Sequence, residues 1–208
     1  MTVRQSTFGL LCLGVLAGSV LAQNPPAGAP PPAGRGGGGR GRAVQVMTLT
    51  SSAWNDGAAI PVKYSQAGEE VSPPLVWSGA PDSTVSFVLI VHDANAAIGN
   101  GLDDLLQWMV WNIPGPARAL PEGVPQGGQI PDGARQISAT GPYYRGPAAP
   151  SSGPAHHYLF ELYALDAMLD IPAVGAPPPA TRAAVVAAMA GHVRAKAVSV
   201  GTFVRRAP

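Results

Sequence analysis

Apolar residues in this chain fall in short runs, some alternating with polar residues and some unbroken, and only one stretch has helical spacing. Alternation with a period of two puts side chains on opposite faces of a strand, while an unbroken apolar run of similar length marks a strand buried on both faces. Val44 to Thr50, VQVMTLT, alternates in this way. Ala59 to Tyr64, AIPVKY, forms a second short strand after the turn signal WNDG. Glu69 to Leu75, EEVSPPL, is a polar, proline-bearing connection, and Val76-Trp77 begins another strand before GAPD turns the chain. Ser86 to His92, SFVLIVH, is a continuous apolar run and therefore the central strand. Gln107 to Ile113, QWMVWNI, follows and stops at Pro114. Tyr158 to Asp166, YLFELYALD, is the third long strand, and Val198 to Val204, VSVGTFV, closes the sheet.

Helix is peripheral in this reading. Leu102 to Leu106 forms a short helical turn after Gly101. Ala180 to Ala190 is the one good helix, with Thr181 as its N-cap and Gly191 as its stop. The expected class is mostly β with one or two peripheral helices, in a single domain over residues 43–208.

The first 42 residues read differently. Met1 to Ala22 joins a basic start at Arg4, the apolar run Phe8 to Leu16 and a small-residue exit at Ala22, the pattern of a secretory signal peptide. The apolar part is too short for a stable membrane span. Cys12 is the only cysteine and would leave with the peptide, so disulfide and thiol chemistry are not expected in the mature protein. Residues 23–42, QNPPAGAPPPAGRGGGGRGR, have no apolar face to bury and read as a disordered Pro/Gly-rich tether. The localisation expected from these features is periplasmic or secreted, in a bacterium.

Charge narrows the function classes. The whole chain carries a formal charge of +1, but setting aside Arg4, Arg35, Arg40 and Arg42 leaves nine of its 13 basic residues against 12 acidic ones. The folded part is therefore acidic, and no nucleic-acid partner is expected. The three tether arginines make too weak a patch to change that.

Candidate chemistry gathers at the ends of the three apolar strands, where pockets collect. His92-Asp93-Ala94-Asn95 leaves the central strand, Gln107-Trp108 opens the next, and the loop GPYYRGPAAPSSGPAHHY ends in His156-His157-Tyr158. Such a glycine- and proline-rich loop is costly to order unless it shapes something, and it reads as a pocket wall. His156 and Tyr158, two apart at a strand start, share a face, while His157 points away. Trp77, Trp108 and Trp111 read as core, and Tyr143 and Tyr144 as the pocket rim.

The ordered blocks SPPLVWSGAP, FVLIVHDANAA, QWMVWNIPGPARALPEG, YYRGPAAPSSGPAHHYLFELYALD and GHVRAKAVSVGTF resemble the phosphatidylethanolamine-binding protein family, in its bacterial Raf-kinase-inhibitor-like branch. The resemblance spans about Met47 to Phe203. It implies a β-sandwich of two antiparallel sheets with a small surface pocket for phosphate-like head groups. The family's Asp-x-Asp-Ala-Pro motif matches at Asp93 and Ala96 and departs at Asn95 and Ala97, and its His-Trp becomes Gln107-Trp108. Its loop matches at Gly146, Pro147, Pro150 and Gly153, and its closing His-x-Tyr at His156 and Tyr158. The expected ligand-binding set is thus Asp93, Asn95, Gln107, Gly146, Pro150, His156 and Tyr158. Asn for Asp removes a charge and adds donors, and Gln for His removes a group that titrates near neutrality. A weaker pH response and a drift toward neutral polar ligands follow.

Other classes have less behind them. His92, Asp93, His156 and His157 include metal-ligand types but no recognised zinc spacing. No Gly-x-Ser-x-Gly elbow is present, and Asp93 has Asn95 where a glycosidase would need a second carboxylate. The reading is a non-enzymatic binding protein with a small anionic or polar ligand, no cofactor and no metal. The alternative is a protein-interaction or protease-inhibitor module with a vestigial pocket, acting on a protein partner through its exposed loop. Nothing in the sequence sets an oligomeric state.

Overall fold

The computed structural model describes residues 44–205. The expected signal peptide and the whole of the expected tether lie outside the described residues. The strands are β1 (Gln45–Val46), β2 (Thr48–Thr50), β3 (Leu75–Ser78), β4 (Ser86–Ile98), β5 (Asp103–Pro114), β6 (Ala119–Leu120), β7 (Arg135–Ile137), β8 (His156–Leu165) and β9 (Val193–Phe203). The single α-helix among the described residues is α1 (Pro178–Met189). Six strands form one sheet in the order β1-β9-β8-β4-β5-β7, and β2-β3-β6 form a second. Pairing is antiparallel throughout both sheets, except that β1 runs parallel to β9. The mostly β, two-sheet architecture is the one the sequence pattern and the resemblance imply.

The unbroken apolar run of β4 has its two-sided burial. Phe87, Leu89 and Val91 face the cluster between the sheets, with Trp77, Trp108, Phe160 and Leu162. Val88 and Ile90 face a second cluster with Met109, Trp111, Leu165 and the α1 residues Val185 and Met189. Side chains this deeply buried contribute roughly 1.5–3 kcal/mol each relative to exposure. All three tryptophans read as core are buried.

The structure corrects four local expectations. Leu102 to Leu106 is not helical: the chain turns at Gly99 and Gly101, both at positive φ, and residues 103–106 extend β5 against β4. A ready-made strand edge outcompetes a short helical turn that buries little. The stretch AIPVKY is not a strand either. Ile60 donates its N–H to Thr202, but Pro61 breaks the ladder and Val62–Tyr64 close a 3₁₀ turn. VQVMTLT is two strands in different sheets, because Met47 carries the chain across with its N–H on the Lys196 carbonyl. Finally, α1 begins at Pro178, not at a Thr181 cap. Proline suits the first helical turn, and Thr181 sits buried inside it.

Gly201 shows how tightly β9 is overlaid. A Cβ there would lie 2.4 Å from Ile60 Cγ1 and 3.0 Å from Trp54 Nε1, so only glycine fits beneath the Ile60 crossing.

Candidate functional site

Strand alternation sorts the polar residues at the end of β4. His92 falls on the helix-facing side with Ile90, while Asp93 falls on the inter-sheet side with Val91. Asp93 stands opposite Tyr158 in the β4–β8 register, so His156 and Tyr158 of β8 share its face. Asp93 is 4 % exposed. Its Oδ1 accepts the backbone N–H groups of Asn95 (3.0 Å) and Ala96 (3.1 Å), a local turn that aspartate forms readily. Both carboxylate oxygens face His156 Nδ1, at 2.8 and 3.0 Å. Asp93 and His156, both in the expected ligand-binding set, are therefore paired.

That pairing orients the imidazole. With Nδ1 turned to the carboxylate, its proton sits there and Nε2 points elsewhere. Neutral His156 then offers a lone pair at Nε2, and protonated His156 offers an N–H. Nε2 makes no protein hydrogen bond among the described residues, and the ring is half-buried. Tyr158 is fully buried, and its hydroxyl accepts the N–H of Ala148 at 3.3 Å. Burial, and then the nearby Asp93 charge, push the phenol well above its usual range, so it stays protonated and available as a donor.

The loop is strapped from two sides. Gln66 donates to the Gly146 carbonyl (2.8 Å) through its side chain and to the Pro147 carbonyl (3.0 Å) through its backbone N–H. The Gly146 N–H reaches Glu70 Oε1 at 3.3 Å. From the other side, Gln107 accepts the Arg145 N–H on its carbonyl at 3.0 Å. With its amide nitrogen facing the loop, Gln107 also donates to the carbonyls of Arg145 (3.0 Å) and Gly146 (3.2 Å). A Cβ on Gly146 would lie 2.5 Å from the Tyr64 carbonyl oxygen, which is why glycine is needed there.

The seven residues singled out from sequence thus take different places. Asp93, His156 and Tyr158 converge. Gly146 lies in the strapped wall, and Gln107 spends its amide nitrogen on that wall. Asn95 is exposed, and its Oδ1 takes the N–H of His157 at 2.8 Å and faces His157 Nδ1 at 3.0 Å. Pro150 is exposed at the loop crest, and His157, which alternation turns away from Tyr158, is exposed. Tyr144 is not at the rim: it is buried edge-on against Trp108 (5.4 Å, 83°), its hydroxyl on the Tyr64 carbonyl. Tyr143 is half-buried and donates to Thr140. Sequence reading missed Gln66, Glu70 and Tyr64, which reach the loop across about 80 residues and carry no motif. Among the described residues no cluster of three or more His, Cys, Asp or Glu side chains is arranged to hold a metal ion.

Comparison with known proteins agrees with this fold. The sequence model described as phosphatidylethanolamine-binding protein matches residues 50–204. A UPF0098 protein of Methanothermobacter thermautotrophicus is 39% identical over 161 residues, covering 76% of this chain and 99% of its own length. A Mycobacterium tuberculosis protein that bears a lipoprotein name, LppC, is 35% identical over 163 residues, covering 77% of this chain and 74% of its own. Among solved structures, the phosphatidylethanolamine-binding protein homolog CT736 of Chlamydia trachomatis superposes with a TM-score of 0.64 at 32% identity, covering 77% of this chain and 99% of that one.

Proposed function

The chain belongs to the phosphatidylethanolamine-binding protein family, and on that premise we propose that it is an exported, non-enzymatic binding protein whose Asp93–His156–Tyr158 corner receives a small phosphate-like anion. The observation that carries this reading is the buried Asp93 carboxylate, held by two backbone N–H groups and fixing His156 through Nδ1 at 2.8 Å. A carboxylate so constrained fixes which imidazole nitrogen is offered to a ligand. Protonated Nε2 and the Tyr158 hydroxyl are the donors, and neutral Nε2 accepts from a ligand hydroxyl. Gln107 and Gly146 act as wall, Asn95 steadies the start of β8 through His157, and Pro150 sets the loop crest. Nucleic acid is no partner in this reading, and no described helix is long and apolar enough to cross a membrane. The lipoprotein name of one relative and the signal-like N-terminus support export.

Calorimetry and thermal shift on the full chain test it, with inorganic phosphate, phosphoethanolamine and a neutral polar control. The expected result is saturable phosphate binding that weakens at least tenfold in His156→Ala and in Asp93→Asn. Binding unchanged in both variants would refute the assignment. A second reading, recognition of a protein partner, is favoured by one observation: residues 150–154 of the loop are all exposed. In that case loop substitutions, and not His156→Ala, would abolish function.

A further inference from the structure

On the helix-facing side of the large sheet, His92 lies inside a row of charges that the candidate site does not use. Its Nδ1 is 2.5 Å from Asp104 Oδ2 on β5, and its Nε2 is 3.4 Å from Glu161 Oε2 on β8. Asp104 is in turn paired with Arg182 on α1. Glu161 is paired with Lys196 on β9 at 2.5 Å, and Lys196 lies 4.9 Å over the ring of Tyr163. The row reads Arg182, Asp104, His92, Glu161, Lys196, drawn from α1, β5, β4, β8 and β9. With His92 protonated the signs alternate without a break. With His92 neutral, one ring nitrogen turns a lone pair toward a carboxylate, because a neutral imidazole carries a single N–H. Neither carboxylate lies along an N–H direction, so these are ion-pair contacts that depend on charge more than on alignment. The imidazole side chain is only 13% exposed, so solvent screens them weakly.

We propose that His92 is a proton-dependent latch that seats α1 on the sheet through Asp104 and Arg182. Arg182 lies on a groove of about 680 Å³ between α1 and the β4–β5 hairpin, lined by Ile98, Leu102 and Leu105 on one side and Pro179, Ala183 and Val186 on the other. The latch holds one wall of that groove in place while His92 is protonated. The Glu161 carboxylate, with Asp104 adding to it, raises the His92 pKa above the ordinary histidine value, which agrees with the geometry. A raised folded-state pKa means that the seating energy is fully present below about pH 6.5. It is lost as pH rises through the folded value.

Hydrogen exchange of the full chain, corrected for intrinsic rates and followed from pH 6 to pH 8.5, tests the latch. The α1 amides of residues 182–189 should open more often at the higher pH, by about tenfold for each pKa unit by which the seated state favours the imidazolium. The β4 amides of residues 88–91 should not change. His92→Gln should remove the pH dependence from α1. Should that variant fail to fold, Arg182→Gln serves, since it unhooks the helix and leaves His92 in place; its α1 exchange should be fast at both pH values. An NMR titration of His92 should give a pKa above the ordinary value. A pKa at or below that value, a change in α1 exchange under about twofold in the native chain, or native pH dependence retained in Arg182→Gln would each overturn the proposal.

Discussion

Two glycines of the same loop, Gly146 and Gly153, match the family pattern equally well, yet they should respond to alanine in opposite ways. At Gly146 a Cβ would lie 2.5 Å from the Tyr64 carbonyl oxygen and 2.8 Å from Ser65 Cα. Both are backbone atoms, so nothing can swing aside. The loop must retreat by roughly an ångström to restore van der Waals distance. That displacement is taken from the Gly146 carbonyl, which accepts from Gln66 at 2.8 Å and from Gln107 at 3.2 Å. Forced overpacking costs about 1–3 kcal/mol, and a lost internal hydrogen bond about 0.5–1.5 kcal/mol. Gly146→Ala should therefore destabilise by about 2–4 kcal/mol, or roughly 4–16 °C in Tm for a domain of this size. At Gly153 a Cβ would meet nothing within 4 Å, and φ is not positive. Gly153→Ala should be neutral or stabilising by up to about 1 kcal/mol, since alanine restricts the unfolded chain. Urea unfolding with an unchanged m-value measures both. Because the loop is the wall of the proposed site, Gly146→Ala should also weaken phosphate binding. Equal stabilities for the two variants would refute the reasoning.

Two further expectations follow from the core and from the charge row. Trp108→Phe removes the donor that serves the buried Gln136 Oε1 at 2.8 Å and should cost about 1–3 kcal/mol beyond the lost ring area, measured against Trp77→Phe, whose indole N–H has no partner among the described residues. Glu161 is held down to about 2, first by His92, against an opposing burial effect, and then by Lys196. Its stabilisation is therefore present above the ordinary glutamate value and is lost as pH falls toward 2, so Glu161→Gln should flatten acid unfolding followed by circular dichroism between about pH 4.5 and 2.

Much of this molecule is legible one strand at a time. The unbroken run SFVLIVH announces a strand covered on both sides, and it is the centre of the large sheet. Alternation alone separates His92 from Asp93 and puts His156 and Tyr158 on one face, because successive side chains on an extended backbone must point oppositely. Those relations lie within a few residues and depend only on backbone geometry. The tertiary structure decided what reaches across about 40 to 80 residues. It set Asp93 within 2.8 Å of His156, brought Gln66 and Glu70 to the loop, and turned the Gln107 amide to carbonyl groups. It also switched the chain between sheets at Met47 and drew residues 103–106 into β5, where local preference pointed to a turn of helix. In each case a polar group, on the backbone or on a side chain, needed a partner, and the fold placed one there that no local pattern encodes. The row from Arg182 to Lys196 is the clearest case: its five residues come from five elements, and only the order of strands and the seat of α1 bring their charges together.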